Sequence, residues 1–132
     1  MFRLTRLIPI IILMLCFGGL AACNDEEPPN EAADRARLDK METEVDDLIG
    51  DAACNDAKEC RVIAFGAKPC GGPWSFKIWS AATVDSTALA GLVADYNKFN
   101  HTLNDRYGWM SDCMVVMPPN VGCVDGHCVV VE

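Results

Sequence analysis

The stretch DSTALAGLVADYNKFNHTLNDRYG, residues 85–108, decides the fold. Asp85 is a good N-cap, and Val84 before it is placed to staple against Leu89. Leu89, Leu92, Tyr96, Phe99 and Leu103 recur at helical spacing with Val93 beside them, Tyr107 extends the stripe, and Gly108 supplies the stop. A helix with one apolar stripe needs a surface to bury it. Asn97, Asn100, His101 and Asn104 share another face, read as solvated surface, with an amide-rich glycan-binding face as the alternative.

The surface it needs lies on both sides of it in the chain. Residues 60–65 (CRVIAF) form a β-branched run, residues 66–73 (GAKPCGGP) are a dense turn signal, and residues 74–80 alternate, with Phe76 and Ile78 on one face against Lys77 and Trp79. A hairpin across the glycine-rich loop follows. After the helix, residues 114–117 are apolar, Pro118-Pro119-Asn120 interrupts, and residues 121–124 resume. Asp125-Gly126 is a preferred two-residue hairpin turn, followed by a strand over 127–131 whose Val129-Val130-Val131 run predicts a central strand buried on both faces. The expected fold is α+β: a small disulfide-stapled antiparallel sheet of about four strands packed against one long helix, over residues 51–132.

Upstream, residues 31–50 read as an acidic amphipathic helix. Asn30 is its N-cap, Glu31 and Asp34 suit the positive end of its dipole, and Gly50 its stop. Leu38, Met41, Val45 and Leu48 make a narrow stripe, which fits packing on the chain's own domain or a short coiled-coil stalk. The expectation is that the cysteine-rich domain folds without it. Charge is uneven: residues 25–59 hold 13 acidic and 4 basic groups, and residues 60–132 hold 6 and 5. Nucleic acid is excluded as a partner on sign.

The N-terminus reads as an export signal over residues 1–22. Arg3 and Arg6 precede an apolar run over 7–20, too short for a comfortable membrane span, which needs about 20 residues, and Ala21 and Ala22 follow. Leu20-Ala21-Ala22-Cys23 resembles the bacterial lipobox. The resemblance implies cleavage before Cys23, thioether lipidation of its sulfur, amine acylation such as palmitate, and membrane attachment through the lipid. Residues 23–30 then form a lipidated, proline-containing linker. Asn24 stands where an aspartate would resemble an inner-membrane retention signal, so a place on the outer membrane facing the periplasm is favoured, with the cell surface as alternative.

Eight cysteines lose Cys16 with the signal and Cys23 to lipid, leaving Cys54, Cys60, Cys70, Cys113, Cys123 and Cys128. In an oxidising compartment six cysteines read as three disulfides. The hairpin register sets Cys123 opposite Cys128, and Cys54 with Cys60 closes a short loop, which leaves Cys70 with Cys113. The competing arrangement pins Cys123 and Cys128 separately to Cys54 or Cys60. No Cys-x-x-Cys or close histidine pair supports a metal site, and neither a cofactor nor a catalytic residue is expected.

The candidate binding element is the loop Lys68, Pro69, Cys70, Gly71, Gly72, Pro73 and Trp74: proline-stiffened, disulfide-pinned and tipped by a tryptophan. The alternative is a turn whose Trp74 and Trp79 cap the small core. Residues 54–128, through CRVIAFGAKPCGGPW, Ser111-Asp112-Cys113 and CVDGHC, resemble a group of small, uncharacterised cysteine-rich bacterial lipoproteins, which implies a domain boundary and no activity. The expected function is non-enzymatic binding of an envelope protein or cell-wall component. An inhibitor of a periplasmic or extracellular hydrolase (protease or lysozyme) and a structural envelope spacer are the alternatives.

Overall fold

The computed structural model describes residues 29–132. The expected export signal, Cys23 and most of the linker lie outside the described residues. Two helices and two hairpins follow in order: α1 (Glu31–Ile49), a 3-10 turn (Ala57–Glu59), β1 (Cys60–Phe65), β2 (Ser75–Ser80), α2 (Ser86–Tyr107), β3 (Val121–Val124) and β4 (His127–Val130).

The helix ends form as their caps dictate. Asn30 accepts from the Ala33 N–H, and Asp85 accepts from Thr87 and Ala88. Gly108 sits in the left-handed region at the end of α2, where a Cβ would be strained. Val84 and Leu89 are both buried in the core, as a staple requires.

The two helices run antiparallel. At one end Asp34 receives Arg106 Nη1 and the Tyr107 hydroxyl, both at 2.7 Å, and Glu31 accepts from the Trp109 indole at 2.9 Å. At the other, Val45 and Ile49 join Leu89 and Val93 in the core. This corrects the expectation that the core lies wholly after Cys54, because Val45 is fully buried and belongs to the same core as α2. Asp39, Glu44 and Asp47 face outward, while Glu42 and Asp46 reach Lys77 of β2 at 2.7 and 2.8 Å. Burial lowers the Lys77 pKa, but the bonds to Asp46 and Glu42 outweigh it and the pKa rises, so the ammonium stays charged as a tie between α1 and the sheet.

The sheet is two sheets. β1 and β2 pair antiparallel from Cys60↔Ser80 to Phe65↔Ser75, and β3 and β4 pair with Cys123↔Cys128 and Val124↔His127. The Asp125-Gly126 turn carries two positive φ angles, 51° and 81°, matching the right-handed strand twist. The expected single sheet of about four strands does not form. Nor is β4 a central strand: Val130 is 59% exposed, and beyond β3 the strand gains one bridge, Ala53↔His127. Residues 114–117, expected as a strand, are irregular and largely exposed.

Disulfides make the join that a continuous ladder would have made. Cys54–Cys123 and Cys60–Cys128 tie the second hairpin to the chain entering and opening the first, with Cα–Cα distances of 6.0 and 5.4 Å. These replace the expected local pairs Cys54–Cys60 and Cys123–Cys128, in favour of the competing arrangement. Cys123 and Cys128 do stand opposite each other, yet a directly opposed, non-hydrogen-bonded pair approaches to about 4.5 Å, at the lower limit of what a disulfide accepts. The segment around Cys54, bonded to the hairpin through Cys54 N–H to Gly126 O and Cys128 N–H to Ala52 O, offers better-spaced partners. Cys70–Cys113 forms as expected.

Candidate functional site

The glycine-rich loop leaves β1 at Gly66, whose φ is +81°. A Cβ there would lie 2.7 Å from Trp74 Cδ1, so only glycine lets the two ends of the loop close on each other. Trp74 N–H bonds to Phe65 O at 3.0 Å, and inside the loop Lys68 N–H to Gly72 O and Gly71 N–H to Lys68 O close a tight turn.

The floor of the loop is built from amides of α2. Asn97 Oδ1 accepts from Gly66 N–H at 2.6 Å, Asn100 Oδ1 from Ala67 N–H at 2.8 Å, and Asn104 Nδ2 donates to Ala67 O at 2.7 Å. Asn100 and Asn104 are 4% and 5% exposed. The amide trio is therefore neither solvated surface nor glycan platform, whereas His101 on the same expected face stays exposed. The trio is a clamp that satisfies the backbone of a segment with no strand partner. Spacing of three and four residues, one step round the helix from the apolar stripe, is the signal that marks it.

Of the candidate loop residues, Pro69, Cys70, Gly71 and Gly72 are exposed and Pro73 is half-buried. Lys68 is a correction: it is 5% exposed and folds inward rather than facing a partner. Its Nζ meets Asp112 Oδ1 at 2.9 Å and Met114 O at 2.8 Å, and lies 5.2 Å from the centre of the Trp74 ring. A buried ammonium needs such partners. The bond from Lys68, then that from the Met114 N–H, holds the Asp112 carboxyl below its ordinary value. With Cys70–Cys113, this ion pair fastens the loop to residues 112–114.

Trp74, by contrast, stays 42% exposed while its backbone is fixed. It stands on the wall of a groove of ≈ 570 Å³ between α1, α2 and the loop. Phe65, Tyr96, Trp74 and Trp109 give the groove its aromatic walls, and Arg35, Asp39 and Glu42 its charged rim. Phe65 and Tyr96 stack with centroids 4.1 Å apart, and the Arg35 guanidinium lies over Trp109 at 4.1 Å while bonded to Glu31. Burial first, then the carboxylates of Glu42 and Asp39, pushes the Tyr96 phenol up to about 12, so it remains a hydrogen-bond donor at all ordinary pH. No family model, curated protein or solved structure matches the chain.

Groove and loop together offer apolar ring faces, a phenol and carboxylate acceptors on a pinned frame. Such a surface is complementary in shape and chemistry to a ligand with one flat apolar side and polar edges. Sequence reading located Trp74 but not Tyr96, Trp109 or Arg35, which enter the groove only because α1 packs beside α2. The sulfur atoms of Cys54, Cys60 and Cys128 lie within 4.8 Å of one another, since two disulfides stand side by side. Sulfurs held in disulfides are not the thiolates that a metal requires. No helix among the described residues is long and apolar enough to cross a membrane.

Proposed function

We propose that this protein is a lipid-anchored, non-enzymatic binding domain of the bacterial envelope. Its Trp74 groove takes part of an envelope protein or cell-wall component. The observation that carries the reading is Trp74: exposed, yet held in place by a disulfide, an ion pair and an amide clamp. A tryptophan that merely capped the core would be buried, as Trp79 is. A rigid aromatic binds with little loss of entropy, and such residues dominate interface energies. The anchor rests on the lipobox-like Leu20-Ala21-Ala22-Cys23, and the outer membrane is the favoured location.

The test is capture from envelope extract by the immobilised protein and by Trp74→Ala, with circular dichroism showing both folded. A component retained by the first and lost with the second is expected. Identical retention by both would remove the groove from the function. Cys23→Ser is expected to abolish palmitate labelling, and a variant that still labels would overturn the anchor.

A second reading, inhibition of a hydrolase, draws on the exposed, tightly turned Pro69-Cys70-Gly71-Gly72 tip, shaped to enter a cleft. Protease and lysozyme assays with the protein added decide it.

A further inference from the structure

A cluster in sequence of exposed apolar side chains lies outside the groove lining. Four of the eight large apolar side chains left exposed in the described residues fall within one short loop: Met110, Met114, Val115 and Met117, at 89%, 68%, 83% and 74%. That loop is neither helix nor strand, yet it is fastened through Cys70–Cys113 and through Lys68 to Asp112 and Met114 O. Fixed apolar side chains facing water mark a contact surface.

Its place in the fold says what covers it. Met110 follows Trp109, whose indole bonds to Glu31 in the first turn of α1. Residues 24–30 separate α1 from Cys23 and span at most about 25 Å. A lipid on Cys23 therefore leaves the membrane surface within reach of this end of the molecule. The opposite end of α1, near the β3–β4 turn, is about 28 Å further along the 19-residue helix. Charge agrees with an apolar environment. The only ionisable side chain of residues 109–117 that can carry charge is Asp112, paired with Lys68; beside the loop, Glu31 pairs with Arg35 and Asp34 with Arg106.

We infer that residues 109–117 form a membrane-contact loop. Met110, Met114, Val115 and Met117 enter the headgroup–acyl boundary beside the lipidated N-terminus and fix the domain's orientation on the bilayer. The direction of the inference rests on the lipid-anchor reading. Contact is apolar rather than electrostatic, since the chain carries net −8 and the linker adds Asp25, Glu26 and Glu27 without a basic residue.

The test uses residues 24–132, which hold every described element, disulfide and core contact but cannot carry the Cys23 lipid. This chain is mixed with phosphatidylcholine vesicles, and quenching of tryptophan emission by brominated acyl chains is read. Quenching that is unchanged by salt and weaker on anionic vesicles is expected. Met114→Ser/Val115→Ser and, independently, Met110→Ser/Met117→Ser should each lower partition at least tenfold, since one apolar side chain withdrawn from water is worth roughly that factor. All four positions are exposed, so folding is not at issue. Val124→Ser, exposed at the far end, should change nothing. Absence of partition, equal partition by the loop variants, or salt-sensitive binding only to anionic vesicles would overturn the inference. The anchor is read separately by palmitate labelling of the full chain. Without label but with quenching intact, the anchor reading fails and the loop contact stands.

Discussion

At the scale of single residues, Gly66 and Trp74 are a pair. A methyl group at residue 66 would meet the indole at 2.7 Å and would sit on a backbone whose φ of +81° side chains rarely adopt. Gly66→Ala is expected to destabilise by about 2 kcal/mol or more, from the left-handed backbone and the displaced ring. The loss should appear in chemical denaturation, and Trp74 should become more accessible to acrylamide.

Lys68 and Asp112 set the loop's response to acid. The Asp112 pKa lies below 3.8 in the fold, so its contribution is fully present above pH 3.8 and lost as pH falls through the folded value. Loosening of residues 66–74 below about pH 3.8, absent in Asp112→Asn because that loop is already loose, is the expected outcome by hydrogen exchange. Glu31 and Asp34 also have lowered values, each bonded first to α2 or the residues after it, through Trp109 and Tyr107. Acid therefore weakens the helix junction in the same range, and the Asp112→Asn comparison separates the two effects.

At the scale of elements, the ends of both helices, the presence of both hairpins and the register of the second were legible. Caps, stripes and a two-residue turn are local devices, and local physics sets them. What each element packs against was not. The run Val129-Val130-Val131 reads alike whether a strand is covered on both faces or stands at an edge, and periodicity alone cannot separate these. The stripe Leu38, Met41, Val45 and Leu48 was correctly placed on one face of α1, with Ile49 added by the fold. Its contribution depends on α2, which is distant in sequence. Val45→Ala should cost about 2 kcal/mol, as expected for a fully buried valine. A chain starting at Asp51 should lose cooperative thermal unfolding, since Val93 and Leu89 would face water. A sharp transition within a few degrees of the full protein would show the helix to be peripheral.

At the scale of the whole molecule, the disulfides do the work that sheet continuity does in larger domains. Sequence separations of 69, 68 and 43 residues give each bond roughly 4 kcal/mol on the chain-entropy model, so long loops rather than local ones are closed. The parity of the cysteines was legible, and so was Cys70–Cys113. The other two pairings depend on how the hairpins lie across each other, which no spacing encodes. Removing Cys60 and Cys128, both buried, should lower the midpoint of unfolding more than removing the exposed Cys70 and Cys113. The second pair should instead release Trp74 and the residue 109–117 loop. Peptide mapping without reduction should recover Cys54–Cys123 and Cys60–Cys128 cross-links, and a Cys123–Cys128 peptide would refute that architecture.

Binding at the Trp74 groove is the claim on which the functional reading turns, and cross-linking in intact cells reaches it most directly. A photoreactive benzoylphenylalanine placed at residue 74 of the full-length protein should give a discrete adduct with an envelope component on irradiation. The same probe at residue 124, beside the far hairpin turn, should give none. No adduct from residue 74, or the same adducts from both positions, would contradict a binding role for the groove.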